Sequence, residues 1–272
     1  MSILDYQRLD QIAAAKEPEF RNAQPFPYVV IDDFVPAATL ETVLAEFGDG
    51  DEKWTHWRHY NEIKQGLQDI TAMEPTTRAL IEEMNAGPFL KFVEKLTGIG
   101  PLIADSALDG GGLHLIKPGG FLNVHADFQS HTVNRNWNRE INLLLYLNKN
   151  WCDDYNGNLE FWNAETRTRA ASITPHFNRL VMFHTTERSL HGHPDPLVCP
   201  AGSARKSIAL YYYRDEGRPM ALRSTDYWAR PTDSPLKRAL ITADNVLIRT
   251  YSFLKRYTPL NDRLINKILR RL

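Results

Sequence analysis

The sequence predicts an α+β protein, mainly β, with a sandwich or jelly-roll core of short strands flanked by helices. Three observations carry that expectation. Between residues 111 and 214, eight short apolar and β-branched runs follow one another closely. Turn-forming residues separate them, at Pro118-Gly119-Gly120, Asn156-Gly157-Asn158, Pro175 and Pro194. Apolar residues at helical spacing lie on both sides of that stretch, and the close spacing of the eight runs within it argues against a parallel βαβ sheet.

In chain order, residues 3–15 read as a short helix ending before Pro18. FPYVVIDDFVP (26–36) reads as a strand bounded by prolines. Ala37 to Phe47 has helical spacing, with Leu40, Val43, Leu44 and Phe47 on one face. Residues 75–97 read as one helix with an apolar face of Leu80, Ile81, Met84, Leu90, Phe92 and Val93. The front third is therefore expected to be helical with one strand in it. The eight strand-like runs are LHLIK, FLNVHA, EINLLLYLN, NLEFW, RAASI, RLVMFH, SLHGH and KSIALYYYR. Beyond 215 two helices are expected, 236–257 and 260–272, parted at Thr258-Pro259. The expected division is 1–110 packing on the core, 111–215 as the β core and 216–272 as a basic helical extension, all one integrated domain.

The bulk properties are those of an ordinary globular chain: 272 residues, 43% hydrophobic, 24% charged, formal net charge −1. No global field points to nucleic acid. The segment from Leu236 to Leu272 differs, with nine Lys and Arg against two Asp, a net +7. Leu240, Leu247, Tyr251 and Leu254 form a stripe on it, as do Leu264, Ile268 and Leu272. Packing of these stripes on their own domain is the favoured reading; a weak contact with a membrane surface or polyanion is the alternative. Cys152 and Cys199 stand far apart, outside any C-x-x-C pair, and are expected as free thiols. The N-terminus lacks the basic start and apolar run of a signal peptide, and no apolar stretch approaches the ~20 residues of a membrane span. A cytoplasmic location is expected.

The chemistry centres on His125-Ala126-Asp127. On a strand, residues 125 and 127 project to one face, so an imidazole and a carboxylate converge. Alone, such a triplet is more often a polar strand end. His191 opens a later strand and offers a second imidazole; His193 competes with it, but Gly192 beside His191 permits close backbone approach. Two His and one carboxylate make the facial triad of non-haem Fe(II) oxygenases. Fourteen residues after His191, Arg205 enters a strand. Its planar fork suits a carboxylate, Ser207 shares its face and Lys206 does not.

On these residues the segment 113–214 resembles the catalytic domain of the prolyl 4-hydroxylase-like branch of the Fe(II)/2-oxoglutarate oxygenases. The matching stretches are H-A-D (125–127), INLLLYLNKNW (141–151), NGNLEFW (156–162), ITPHFNRLVMFH (173–184), H-G-H (191–193) and RKSIALYY (205–212). The resemblance implies a double-stranded β-helix, the jelly-roll or cupin-like core, with supporting N- and C-terminal helices. It implies Fe(II) on His125, Asp127 and His191. It further implies that Arg205 pairs with the distal carboxylate of 2-oxoglutarate, helped by Ser207 and the Tyr146 hydroxyl, with Leu159 lining the pocket. The implied reaction hydroxylates an unactivated C–H with O2 and yields succinate and CO2; use of ascorbate is implied by resemblance only. Two positions depart from the family pattern: Gly157-Asn158 replaces Gly-Gly, and Lys117 stands where some relatives carry Tyr.

The substrate stays open. A small or carrier-linked metabolite is favoured over a prolyl residue of a peptide, because no peptide-binding domain or secretory signal is evident. A cupin-like metal enzyme that does not use 2-oxoglutarate, and a non-catalytic β-helix binding protein, are the competing functions. Loop 128–138 is read equally as a substrate lid or a solvated connection. His114 is as readily a core histidine as a pocket residue, and His176 and His184 read as ordinary loop or strand-end residues.

Overall fold

The computed structural model describes residues 2–258. Helix α1 (Tyr6–Asn22) starts at Asp5, whose carboxylate accepts from the N–H groups of Gln7 and Arg8. It runs through Pro18, past the expected end at residue 15, and buries Leu9, Ala13 and Phe20. Burial of Phe20 in the last turns offsets the missing proline donor. Strand β1 (Tyr28–Ile31) and helix α2 (Ala37–Glu46) fall where expected. A hairpin of β2 (Thr55–His59) and β3 (Glu62–Leu67) follows, which the sequence reading lacked.

The helix expected over 75–97 is two, α3 (Pro75–Met84) and α4 (Gly87–Thr97). The break is local chemistry: Pro88 lies in the first turn of α4, where it needs no backbone donor. Gly98 then ends α4 in a left-handed conformation.

After the two-residue β4 (Ile103–Ala104) come β5 (Gly112–Ile116), β6 (Phe121–Ala126) and β7 (Trp137–Tyr146). Next are β8 (Leu159–Trp162), β9 (Arg169–Ile173), β10 (Leu180–His184), β11 (Leu190–His193) and β12 (Arg205–Asp215). The two-residue β13 (Asp226–Tyr227) precedes α5 (Pro235–Tyr257). The helix expected over 260–272 lies outside the described residues.

These strands form one curled antiparallel sheet in the order β1-β10-β7-β12-β5-β3-β6-β11-β8-β9. The hairpin strand β3 joins its two halves, pairing Gln65 with Leu115 of β5 and Glu62 with Leu122 of β6. This is the jelly roll of a double-stranded β-helix, flanked by helices. Alternation along β7 and β12 explains its layers. Ile141, Leu143 and Leu145, with Ile208, Leu210 and Tyr212, join the helix-side core of Leu80, Phe89, Phe92 and Leu96. The opposite faces turn Asn142, Tyr146, Ser207 and Tyr211 inward. The interior is partly filled by Tyr146, Leu159, Phe161 and Phe183, with Phe26 sealing it. Phe161 and Phe183 meet at 5.3 Å between ring centroids, and Phe183 lies edge-on to His191 at 4.6 Å. Aromatic packing thus supports one face of a candidate ligand.

Helix α5 buries Ile241 and Asp244, while Leu240, Leu247 and Leu254 of its predicted stripe stay exposed. Both cysteines are free thiols. No described helix is long and apolar enough to cross a membrane.

Candidate metal centre

Register brings the ligands together. His125 on β6 and His191 on β11 are directly paired, and their rings lie 4.3 Å apart between centroids. The β11 backbone can sit this close because residue 192 is glycine: a Cβ there would lie 2.8 Å from the carbonyl oxygens of Leu122 and Asn123. Asp127 follows β6 and closes the group. One ligand atom from each of His125, Asp127 and His191 lies within 4.8 Å of the others. The His125 Nε2 is 3.5 Å from Asp127 Oδ1, and the His191 Nε2 is 3.2 Å from Asp127 Oδ2.

The donor set suits a divalent cation. His125 Nδ1 lies 2.8 Å from the Asn123 carbonyl oxygen, and His191 Nδ1 lies 2.9 Å from that of Ser189. A carbonyl only accepts, so each Nδ1 carries a proton and each Nε2 is left as the atom that can bind a cation beside Asp127. Two imidazoles and one carboxylate then face one point, the set that non-haem Fe(II) takes. Burial, and then His191, hold the His125 ring below the ordinary histidine range. Burial opposes the Asp127 charge, but the Arg139 guanidinium beside it, then His191, keep this carboxyl well below its usual range.

Two residues that sequence reading passed over fix Asp127. Asn142 Nδ2 donates to Asp127 Oδ2 at 2.5 Å, and Arg139 Nη2 donates to the same oxygen at 3.1 Å. Arg139 is itself locked: its Nε donates to Asn142 Oδ1 at 2.6 Å and its Cζ stacks 3.3 Å from the Tyr211 ring centroid. The readable signal was Asn142, a polar residue inside the apolar run INLLLY (141–146); Arg139 had none.

A second cluster lies farther into the barrel. Arg205 is buried; its Nε donates to the Gly157 carbonyl at 2.7 Å and its Nη2 to the Tyr146 hydroxyl at 3.1 Å. Residue 157 must be glycine: its φ is +80°, and a Cβ would lie 3.2 Å from Arg205 Cδ. Ser207 sits opposite Tyr146 on one side and His114 on the other. Leu159 packs beside Tyr146 in the interior cluster. Lys206 points to the other face, its Nζ 5.2 Å from the Phe47 ring centroid.

The remaining histidines separate cleanly. His114 lies 3.1 Å from the Gly110 carbonyl, and burial, then Lys64, push its ring down to about 3. His131 is the buried centre of loop 128–138: its Nδ1 accepts the N–H groups of Val133 and Asn134, each at 3.0 Å. That loop is therefore built around a fixed imidazole, which a plain solvated connection is not. His184 meets Glu140 at 3.3 Å. His193 is buried, and neither ring nitrogen has a protein partner.

The β2–β3 hairpin brings charge that no motif announced. Lys64 Nζ is 2.9 Å from Glu62 Oε2; burial opposes its charge, but Glu62 beside it raises it above the usual lysine range. Glu62 also meets His59 Nε2 at 2.9 Å, and His59 Nδ1 meets Asp244 of α5 at 2.8 Å. Next to this chain of charges lies a cavity of about 290 Å³, lined by Glu62, Gly110, Phe128, Tyr227, Ile248 and Tyr251 among others. Tyr227 borders the metal group as well, 5.4 Å from the His125 ring. Ile248, Tyr251 and Ser252 make α5 one wall of that cavity.

Residues 111–213 match the family model of the 2OG-Fe(II) oxygenase superfamily. Among curated proteins, the chain is similar to prolyl hydroxylase EGLN3 of Mus musculus, 29% identical over 100 residues, and to that of Homo sapiens, 30% over 98. The matches cover 37% and 36% of this chain, and the chain spans about 40% of the length of these relatives. Among solved structures, a Pseudomonas putida prolyl-4-hydroxylase superposes with a TM-score of 0.54 at 19% identity, over 75% of this chain and 99% of that one. A Trichoplax adhaerens prolyl hydroxylase, solved with a hypoxia inducible factor peptide, gives 0.55 at 18%, over 78% and 92%.

Proposed function

We propose, from the premise that residues 111–213 belong to the 2OG-Fe(II) oxygenase superfamily, that the protein is an Fe(II)- and 2-oxoglutarate-dependent hydroxylase. One observation carries the reading: the Nδ1 atoms of His125 and His191 are taken by backbone carbonyls, which leaves both Nε2 atoms to face a cation shared with Asp127. In this reading His125, Asp127 and His191 hold Fe(II), and Arg205, Tyr146 and Ser207 hold the distal carboxylate of 2-oxoglutarate, with Leu159 against its carbon chain. When bound, iron and 2-oxoglutarate supply the oxidising power: one oxygen atom of O2 enters a substrate C–H bond and the other leaves in succinate, with release of CO2. The protein's own work is positioning. Arg139 and Asn142 both donate to Oδ2 of Asp127, which fixes the carboxylate without competing at Oδ1. The Phe161 and Phe183 rings keep water from one side of the site.

The test is Fe(II)- and O2-dependent conversion of 2-oxoglutarate to succinate, with Asp127→Ala as control. Turnover that depends on all three and falls at least a hundredfold in the variant supports the reading. No turnover in the wild type, coupled or uncoupled, or equal turnover in the variant, favours a cupin-like metal enzyme or a binding protein.

For the substrate we favour a small or carrier-linked metabolite. The cavity beside the metal group is walled by α5, and about 290 Å³ suits a small molecule or one projecting group. A peptidyl proline is the second reading, favoured by the similarity to prolyl hydroxylases over 100 residues. A screen for products heavier by one oxygen, run against metabolite extract and against proline-containing peptides, separates them. Two free cysteines fit a reducing compartment, and a cytoplasmic site of action goes with that.

A further inference from the structure

His193 stands out among the buried polar groups of the barrel. Its side chain is 3% exposed, yet neither Nδ1 nor Nε2 meets a donor or acceptor of the protein. Such an imidazole is rare in a folded interior, because burial removes water and nothing replaces it. His114 and His125 are also buried, and each meets a backbone carbonyl through a ring nitrogen.

Register says where His193 lies. Along antiparallel β8 and β11, Leu190 faces Trp162 and Gly192 faces Glu160, so the end of β11 at His193 lies beside the start of β8. Gly157, just before β8, accepts from Arg205 Nε at 2.7 Å. His193 is thus two residues along β11 from His191, roughly 6–7 Å of strand, in the direction of Arg205. The pairing with β6 shifts register between His191 and His193, but the pairing with β8 does not, and its next step sets His193 against Leu159 of the interior cluster. A five-carbon dicarboxylate held between the metal ligands and Arg205 would extend along this stretch of β11.

We propose that His193 is a further co-substrate-binding residue, donating a ring N–H to the distal carboxylate of 2-oxoglutarate beside Arg205 and Tyr146. This rests on the hydroxylase reading above. The neutral imidazole has one donor nitrogen in either tautomer, and a carboxylate held by Arg205 and the Tyr146 hydroxyl has lone pairs to spare. A charge-assisted bond inside the barrel is the strong kind. It would also make this pocket selective for a dicarboxylate over a monocarboxylate, since the partner atoms are buried.

The experiment measures binding, not turnover. Mn(II)-loaded protein without O2 is titrated calorimetrically with 2-oxoglutarate and with 2-oxopentanoate, which keeps the chelating end and replaces the distal carboxylate by methyl. His193→Leu should weaken 2-oxoglutarate roughly ten- to a hundredfold and leave 2-oxopentanoate within about twofold. His193→Gln, which restores a donor, should recover part of the loss and guards against misfolding of the leucine variant. Unchanged 2-oxoglutarate affinity in both variants, or parallel weakening of both acids, overturns the role of His193 while leaving the hydroxylase reading intact. A wild type that binds neither acid overturns both.

Discussion

Arg139 and Asn142 show how much of this site depends on residues that touch no ligand directly. Both donate to one oxygen of Asp127, so removing either frees the carboxylate to rotate. Outer partners of this kind are typically worth ten- to a hundredfold in metal affinity. Asn142→Leu, close in volume, is expected to weaken Mn(II) binding by roughly that factor, read by competition with a chromogenic chelator; affinity within about twofold of wild type would contradict the assignment. The three candidate ligands were legible in the sequence because strand alternation and spacing bring His-x-Asp and a later His to one place. Arg205 was legible for the same reason, as alternation alone separates it from Lys206. Arg139, Lys64 and Glu62 were not, because a polar residue turned inward leaves no periodic mark. Only the fold shows that Lys64 and Glu62 meet inside it.

At the scale of elements, the eight central strands were readable as apolar runs cut by proline and glycine. The β2–β3 hairpin escaped because THWRH and EIKQGL are mostly polar, with only Trp57, Ile63 and Leu67 as large apolar residues and no clean alternation, and because Glu62 is turned inward. Its role is to hold α5. His59 bridges Glu62 of β3 and Asp244 of α5, and Asn245 of α5 makes two hydrogen bonds to the Tyr227 backbone, at 2.8 and 2.9 Å. Burial opposes the His59 charge, but the Glu62 hydrogen bond, then Glu62 and Asp244 charge, raise its ring above the ordinary 6.5. A raised folded-state value means this linkage is complete below 6.5 and lost as pH rises through the folded value. Hydrogen exchange in α5 should therefore speed up as pH rises above 6.5, beyond the intrinsic base-catalysed rate. In His59→Gln the excess should vanish; a wild-type profile with no excess would contradict the linkage. The interior aromatic cluster gives a separate prediction. Phe161 is fully buried against Phe26, Tyr28 and Phe183, so Phe161→Ala should cost roughly 3–5 kcal/mol in urea unfolding. A loss below about 1 kcal/mol would show that the cluster is not close-packed.

For the whole molecule, the curled sheet does two jobs with one alternation. From Ile141 to Tyr146 the odd positions of β7 bind the helices, while Asn142 and Tyr146 face the site, so the core that stabilises the chain also fixes the ligands. Metal binding to the folded state alone must then stabilise the whole: at a hundred times its Kd a ligand adds about 2.7 kcal/mol. A rise in melting temperature on the order of 5 °C with Mn(II) follows for a chain of this size, absent in His125→Ala. The central claim, that one site takes Fe(II) and 2-oxoglutarate together, is tested most directly without O2 or substrate. Fe(II) and 2-oxoglutarate are mixed with the protein under argon and the visible spectrum is recorded. The account predicts a charge-transfer band from the chelated 2-oxo acid that needs protein, Fe(II) and 2-oxoglutarate at once and is lost in His191→Ala. No band at saturating concentrations, or an equal band in His191→Ala, would contradict it.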